Sequence, residues 1–163
     1  MAVTQLLARV HAADLAHCRA TAAGRPDADP GWAPPAGDVL DLDWAPHPLE
    51  DACRRAGLDG RLLAALRRAT TGDPEVDVAF LDHPDAVGIF GPPPAALAPE
   101  GVAAVAHALA AIDRPAVLPP RPGVRGLDGV RDPQAYLTGH FRALCAFCAE
   151  AARRGQYVVM WWD

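Results

Sequence analysis

The chain has 163 residues, a net charge of −5 and 51% hydrophobic residues, which indicates one globular domain over residues 1–163 and excludes a disordered chain. It contains no Ser, Lys or Asn, which excludes serine hydrolase chemistry, lysine Schiff bases and the lysine of a phosphate-binding P-loop. The negative charge argues against nucleic acid as a partner, and the absence of a ~20-residue apolar run or a secretory signal predicts a cytoplasmic protein without a membrane partner.

The first segments predict short strands and helices joined by one long loop. Residues 3–10 fit either an alternating strand or one face of a helix. Residues 12–23 favour a helix, and residues 24–38 are too rich in Pro, Gly and Asp for regular structure. Residues 39–44 alternate as a short strand does.

Two helices are predicted next. Pro48 is compatible with the first turn of a helix that runs to Arg55, after which Gly57 supplies a left-handed stop. Asp59 is placed to cap a second helix through Arg68.

The middle of the chain predicts two apolar segments and a third helix. Val76, Val78 and Phe80 alternate with Asp77 and Ala79, which indicates a half-buried strand. Residues 86–90 form a second short apolar run. A helix is expected to begin at residues 99 and 100, followed by a connection rich in Pro and Gly over residues 114–131.

The last segment has the clearest pattern. Asp132 is placed to cap a helix, Pro133 suits its first turn, and an apolar stripe follows at helical spacing. Gly155 is expected to end this helix, and residues 157–162 read as a terminal strand. The sequence therefore predicts an α+β fold: a compact two-layer domain with a small mixed sheet packed by about four to five helices, and a C-terminal helix followed by a terminal strand.

Cys145 and Cys148 form a Cys-x-x-Cys pair within this last helix. Zinc sites combine such a pair with a second pair or with histidines, and no second pair is present. Cys148 lies at the centre of the apolar stripe and Cys145 at its edge, so we expect both to be buried, reduced and free of metal.

A polar cluster in residues 41–47 is the candidate site: Asp41, Asp43, Trp44 and His47. On an extended segment Asp41 and Asp43 share a face, and His47 could fold back toward them. Two carboxylates and an imidazole bind a divalent metal or perform acid–base chemistry. The competing interpretation is that Asp43 caps the next helix while Trp44 fills the core. We expect the loop around Trp32 to border this site.

Several short passages resemble the YfbM-like family, bacterial proteins without an assigned activity. They are Leu40-Asp41-Leu42-Asp43 followed by His47, Thr71-Gly72-Asp73, the stretch from Gly91-Pro92 to Gly101-Val102, and the closing helix and strand from Tyr136 to Val159. The resemblance implies a divergent member with a compact α+β fold and an N-terminal strand, which favours the strand for residues 3–10.

The function expected from the residues is a non-catalytic protein- or ligand-binding domain, because no catalytic pattern stands out. Its partner would be a protein or a small molecule, with no cofactor and no resident metal. The alternative is a small hydrolase-like enzyme that uses Asp41, Asp43 and His47. A pocket joining these residues to a second histidine would favour the enzyme, and a flat apolar patch the binding domain.

Overall fold

A computed structural model describes residues 4–24, 29–87, 91–118 and 123–163. One sheet contains four strands: β1 (Gln5–Val10), β2 (Val39–Asp41), β3 (Ala95–Leu97) and β4 (Tyr157–Trp162). Their order is β2-β1-β4-β3, and each described pair is antiparallel. In the long central pair, Gln5 lies opposite Trp162 and Val10 lies opposite Tyr157.

Around the sheet, the described residues form five helices and one single helical turn. They are α1 (Ala12–Gly24), α2 (Pro46–Arg55), α3 (Gly60–Thr71), α4 (Pro99–Ala110), the turn α5 (Arg114–Val117) and α6 (Pro133–Arg154). Two short 3-10 turns cover Ala36–Asp38 and Ala79–Leu81. None of the helices in the described ranges is long and apolar enough to cross a membrane.

The predicted helix signals are confirmed at three ends. The Asp59 carboxylate accepts from the first backbone N–H groups of α3, and Asp132 accepts from the N–H of Ala135 in α6. Gly155 ends α6 in the left-handed conformation with φ 62°, which a residue without Cβ adopts at little cost. The chain then enters β4, as expected.

Alternate side chains of β4 pack into two separate cores. Val158 and Met160 belong to the larger core, which also takes residues from α2, α3, α4 and α6. Val159 and Trp161 belong to a smaller core on the other face, with α1 and Trp32. Successive strand residues point to opposite faces, so a strand covered on both faces is apolar throughout, as β4 is.

The fold class, the number of helices and the terminal strand agree with the prediction, but the sheet is antiparallel rather than mixed. A parallel pair requires a single crossover, usually one helix. Here β1 pairs with a strand from the far end of the chain and with one reached through α1 and a long loop. The connection to β2 does contain a helix, but α1 and the loop after it bring the chain back in the opposite direction, so this pair is antiparallel like the others.

The predicted strand over residues 76–80 is wrong. The Asp77 carboxylate accepts from the N–H of Ala79 at 3.1 Å, which begins a 3-10 turn instead. Val78 is buried against the smaller core, so the alternation reflects a packed loop. Of the other apolar run, Ala86 and Val87 lie in a turn, and residues 88–90 lie outside the described residues. Residues 25–28 of the predicted loop lie outside them too.

Candidate functional site

Asp41 and Asp43 shape a tight turn after β2. The Asp41 Oδ1 accepts a hydrogen bond from the N–H of Asp43 at 2.7 Å. Asp43 has φ 53°, the one positive φ outside glycine among the described residues. Aspartate tolerates this left-handed conformation better than most residues because its short side chain bonds locally. The turn therefore depends on aspartate for backbone reasons, before any ligand is considered.

Asp43 does not cap α2, which corrects the competing interpretation. The N-cap position is Ala45, and within the described part of the chain no side chain accepts from the first N–H groups there. The Asp43 Oδ2 instead accepts from the hydroxyl of Tyr136 in α6 at 3.3 Å. This contact links the turn to the long C-terminal helix.

Trp44 does not fill the core either. Its side chain is 39% exposed and is the largest exposed apolar side chain among the described residues. The indole packs against the Tyr136 ring, with centroids 6.0 Å apart. Together with Asp43, it makes a small aromatic and acidic surface around Tyr136.

His47 points away from the two carboxylates. Its ring stacks on Trp162 at the end of β4, with centroids 5.6 Å apart and an interplanar angle of 12°. The described hydrogen bonds and ion pairs contain none between His47 and Asp41 or Asp43. The expected convergence of these three side chains is therefore absent among the described contacts, and the acid–base set they were predicted to form is not assembled.

A different histidine, His140, faces the acidic turn. It contacts Tyr136 edge-on at a centroid distance of 4.5 Å. Burial lowers the pKa of His140, and the charges of Asp43 and Asp41 oppose this change in pKa. Burial and the neighbouring Asp43 carboxylate raise the pKa of Tyr136 above 10, so its hydroxyl keeps its proton. The Tyr136 hydroxyl therefore supports the turn through its hydrogen bond to Asp43, with His140 packed against the Tyr136 ring.

Trp32 does not border this site. It is 9% exposed and packs edge-on against Trp161, with centroids 5.9 Å apart. Trp161 and Trp162 point to opposite faces of the sheet because they are consecutive in β4. The loop around Trp32 therefore lies on the face away from His47.

His47 and Trp162 instead line a cleft of about 430 Å³, here called the His47 cleft. Its lining is completed by residues from β1, α2, α3 and the segment before β3: Gln5, Pro46, Glu50, Thr70, Thr71, Gly91 and Pro92. Binding pockets for small molecules commonly have this size, with apolar walls and a few polar groups. Of the predicted site residues, His47 alone lines this cleft.

Gln5 lines the His47 cleft and is only 2% exposed. Its side-chain Nε2 donates to the carbonyl of Thr70 at 2.6 Å. Its Oε1 is buried and has no hydrogen-bond partner among the described residues. Buried polar atoms are nearly always paired, so this acceptor is the most unusual atom of the cleft.

Glu50 supplies a charged acceptor at the same cleft. Its carboxylate is paired with Arg67 of α3, and the hydrogen bond from Arg67 lowers the pKa of Glu50. The hydroxyls of Thr70 and Thr71 each donate to the carbonyl of Arg67 at 3.0 Å. Both threonine hydrogens are thus used within the protein, and Glu50 and the Gln5 oxygen are acceptors that line the cleft.

The predicted burial is confirmed for Cys148 but not for Cys145. Cys148 is fully buried, Cys145 is half-buried, and all four cysteines of the chain are free. Burial raises the pKa of Cys148 to about 12 and also raises that of Cys145. Thiolates are the form that binds metal and attacks electrophiles, and both thiols remain protonated at neutral pH. Within the described ranges, no group of three or more His, Cys, Asp or Glu residues could hold a metal ion.

The sequence analysis did not identify four residues as part of a site: Gln5, Tyr136, His140 and Trp162. A glutamine at the start of an apolar strand, such as Gln5, is by itself only a weak indication of a binding site. Comparison with known proteins adds no further guidance, because no family model, curated protein or solved structure matches this chain.

Proposed function

We propose that this protein is a non-catalytic ligand-binding domain and that its ligand occupies the His47 cleft. The observation that carries the proposal is the buried Gln5 Oε1, an acceptor without a donor in the lining of a cleft of ligand size. A ligand that donates a hydrogen bond there would remove the cost of leaving this acceptor unpaired.

The walls of the cleft suggest what kind of ligand this is. The stacked rings of His47 and Trp162 offer a flat aromatic surface. The Glu50 carboxylate lies on the same cleft and, although Arg67 pairs with it, keeps lone pairs that can accept from a further donor. Flat cations with several N–H donors are attracted both to aromatic faces and to carboxylates. We therefore propose a small planar ligand with an amidinium- or guanidinium-like group.

Titration with benzamidine tests this proposal. The NMR cross-peak of the Trp162 indole, assigned by its loss in Trp162→Phe, is expected to shift as the aromatic ring approaches. Gln5→Met keeps the length of the side chain but removes its acceptor, and is expected to weaken binding about tenfold, the value of one hydrogen bond. Glu50→Gln is expected to weaken benzamidine binding while leaving the weaker binding of neutral benzamide at this cleft unchanged.

Two results would contradict the proposal. The first is a Trp162 cross-peak that does not move with benzamidine, and the second is equal affinity of wild type and both variants. Thermal unfolding of each variant is the control, since Gln5→Met also removes the bond to Thr70.

The alternative function, a small hydrolase, has less support because His47 and the two carboxylates make no contact within the described residues. The observation that favours it is the position of His140 beside Asp43 and Tyr136. Hydrolysis of p-nitrophenyl acetate above background, lost in His140→Gln and retained in His47→Gln, would support the enzyme.

We also propose that the protein is cytoplasmic and that it belongs to the YfbM-like family as a divergent member. The composition supports the first proposal, and the quoted passages support the second. The net charge of −5 supports a small-molecule or protein partner over a nucleic acid.

A further inference from the structure

A second cleft lies at the opposite end of the central strand pair, where β1 ends and β4 begins. It measures about 440 Å³ and is here called the Gln156 cleft. The residues of its lining that carry the argument below are Arg9, His11, Asp14, Trp32, Asp38 and Gln156. It shares no lining residue with the His47 cleft.

Gln156 repeats the unusual feature of Gln5 at this other end. It is 2% exposed, and its side-chain Nε2 lies 3.3 Å from Nε2 of His11. Its Oε1 is buried without a hydrogen-bond partner among the described residues. In this orientation the amide nitrogen faces His11 and the oxygen is the end without a partner.

Trp32 adds a second unpaired group to the same cleft. Its indole is held edge-on against Trp161 and is 9% exposed. The Nε1–H is buried and has no acceptor within the described part of the chain. An indole N–H only donates, so it requires an acceptor from elsewhere, while the Gln156 oxygen requires a donor.

The charges around the cleft disfavour an anionic ligand. The Arg9 guanidinium is paired with Asp38 at 2.9 Å, and the Asp14 carboxylate accepts from the backbone N–H of His11 at 3.3 Å. Because Arg9 is paired with Asp38 and Asp14 adds a second carboxylate, the charged side chains of the lining are more negative than positive, which disfavours an anion. Pro34 and Pro35 also line it and add apolar surface.

We propose that the Gln156 cleft is a second binding site, which takes a small, planar, neutral molecule carrying an amide group. The carbonyl oxygen of such a group would accept from the Trp32 indole, and its N–H would donate to Gln156. An amide presents these two functions side by side, which a carboxylate or an amidinium does not. This site is distinct from the His47 cleft in position and in ligand charge.

Titration of the intact protein with benzamide, and separately with benzoate and benzamidine, tests the proposal. The NMR cross-peak of the Trp32 indole N–H, assigned by its loss in Trp32→Phe, is expected to shift downfield with benzamide as the hydrogen bond forms. Benzoate and benzamidine are expected to bind this cleft at least tenfold more weakly. Gln156→Met should weaken benzamide binding about tenfold, the value of one hydrogen bond.

Gln5→Met is the matched control, because it removes the corresponding amide at the other cleft. It should leave benzamide binding at Trp32 unchanged within twofold, and Gln156→Met should likewise leave benzamidine binding at Trp162 unchanged. If Gln156→Met does not fold, Trp32→Phe provides the same test through the backbone cross-peak of Gly31.

Three results would overturn the proposal. They are a Trp32 cross-peak that stays fixed with benzamide, benzoate binding at this cleft as tightly as benzamide, and an equal loss of benzamide affinity at Trp32 in Gln156→Met and Gln5→Met. Because the two clefts are followed by different indoles and different probes, failure here is distinguishable from failure at the His47 cleft.

Discussion

Replacing Asp43 with glycine and with alanine tests the backbone conformation of the acidic turn. Both variants lose the hydrogen bond from Tyr136, so this loss cancels when they are compared with each other. They differ in the Cβ atom, which at φ 53° costs about 1–2 kcal/mol. Glycine loses more conformational freedom on folding, about 0.5–1 kcal/mol relative to alanine. We therefore expect Asp43→Gly to be more stable than Asp43→Ala by about 1 kcal/mol.

Urea unfolding followed by circular dichroism measures this difference directly. Gly139 is the matched control, because it lies within α6, is exposed and has no atom within 4 Å of the position of a Cβ. There the sign is reversed: Gly139→Ala should stabilise the protein by about 1 kcal/mol. If Asp43→Ala is as stable as Asp43→Gly while Gly139→Ala stabilises the protein as expected, backbone strain does not determine this turn.

The remaining predictions concern the cysteine pair, the Asp51 carboxylate and Gly72. Elemental analysis of the purified protein should find no stoichiometric zinc, because Cys145 and Cys148 are packing residues; zinc that is lost on mutating either to Ala would contradict this. The pKa of Asp51 is lowered, mainly by its hydrogen bond from Arg55. The free energy of unfolding of the wild type at pH 7 should therefore exceed that of Asp51→Asn by about 1–2 kcal/mol. This difference in stability should be fully present above the ordinary carboxyl pKa of 3.8 and should disappear as the pH falls through the lowered pKa of Asp51. A difference that does not change with pH would contradict the role given to the ionised carboxylate. Gly72→Ala should cost more than 1 kcal/mol in urea unfolding, since φ is 68° and a Cβ would lie 2.8 Å from backbone atoms of the neighbouring strand β3; an unchanged midpoint would refute it.

Local signals were sufficient for most of the helices. Asp59, Asp132 and Gly155 act within a few residues of the ends that they mark, and the structure uses each as predicted. β3 has no such signal, because alanine has a low preference for strands. It forms because Ala96 meets the edge of β4 opposite Val159, which no pattern within residues 95–97 reveals.

The candidate site was predicted only in part, for a related reason. Asp41, Asp43 and His47 are close in sequence, and this nearness suggested that their side chains meet. The left-handed backbone at Asp43 and the start of α2 send His47 in another direction, onto Trp162. The cleft residues Gln5 and Trp162 come together through the pairing of β1 with β4, so their proximity depends on tertiary structure.

The pairing of β1 with β4 also has a consequence for how the chain folds. Gln5 and Trp162 are partners, so the two central strands join only after a loop of nearly the whole chain has closed. Closing such a loop costs on the order of 4 kcal/mol in chain entropy. Contacts between residues so distant in sequence slow folding, and during synthesis the central strand pair forms only after residue 162 has left the ribosome. Until then the apolar faces of α4 and α6 lack the strand against which they pack, which is the period in which a chaperone would matter most for this protein.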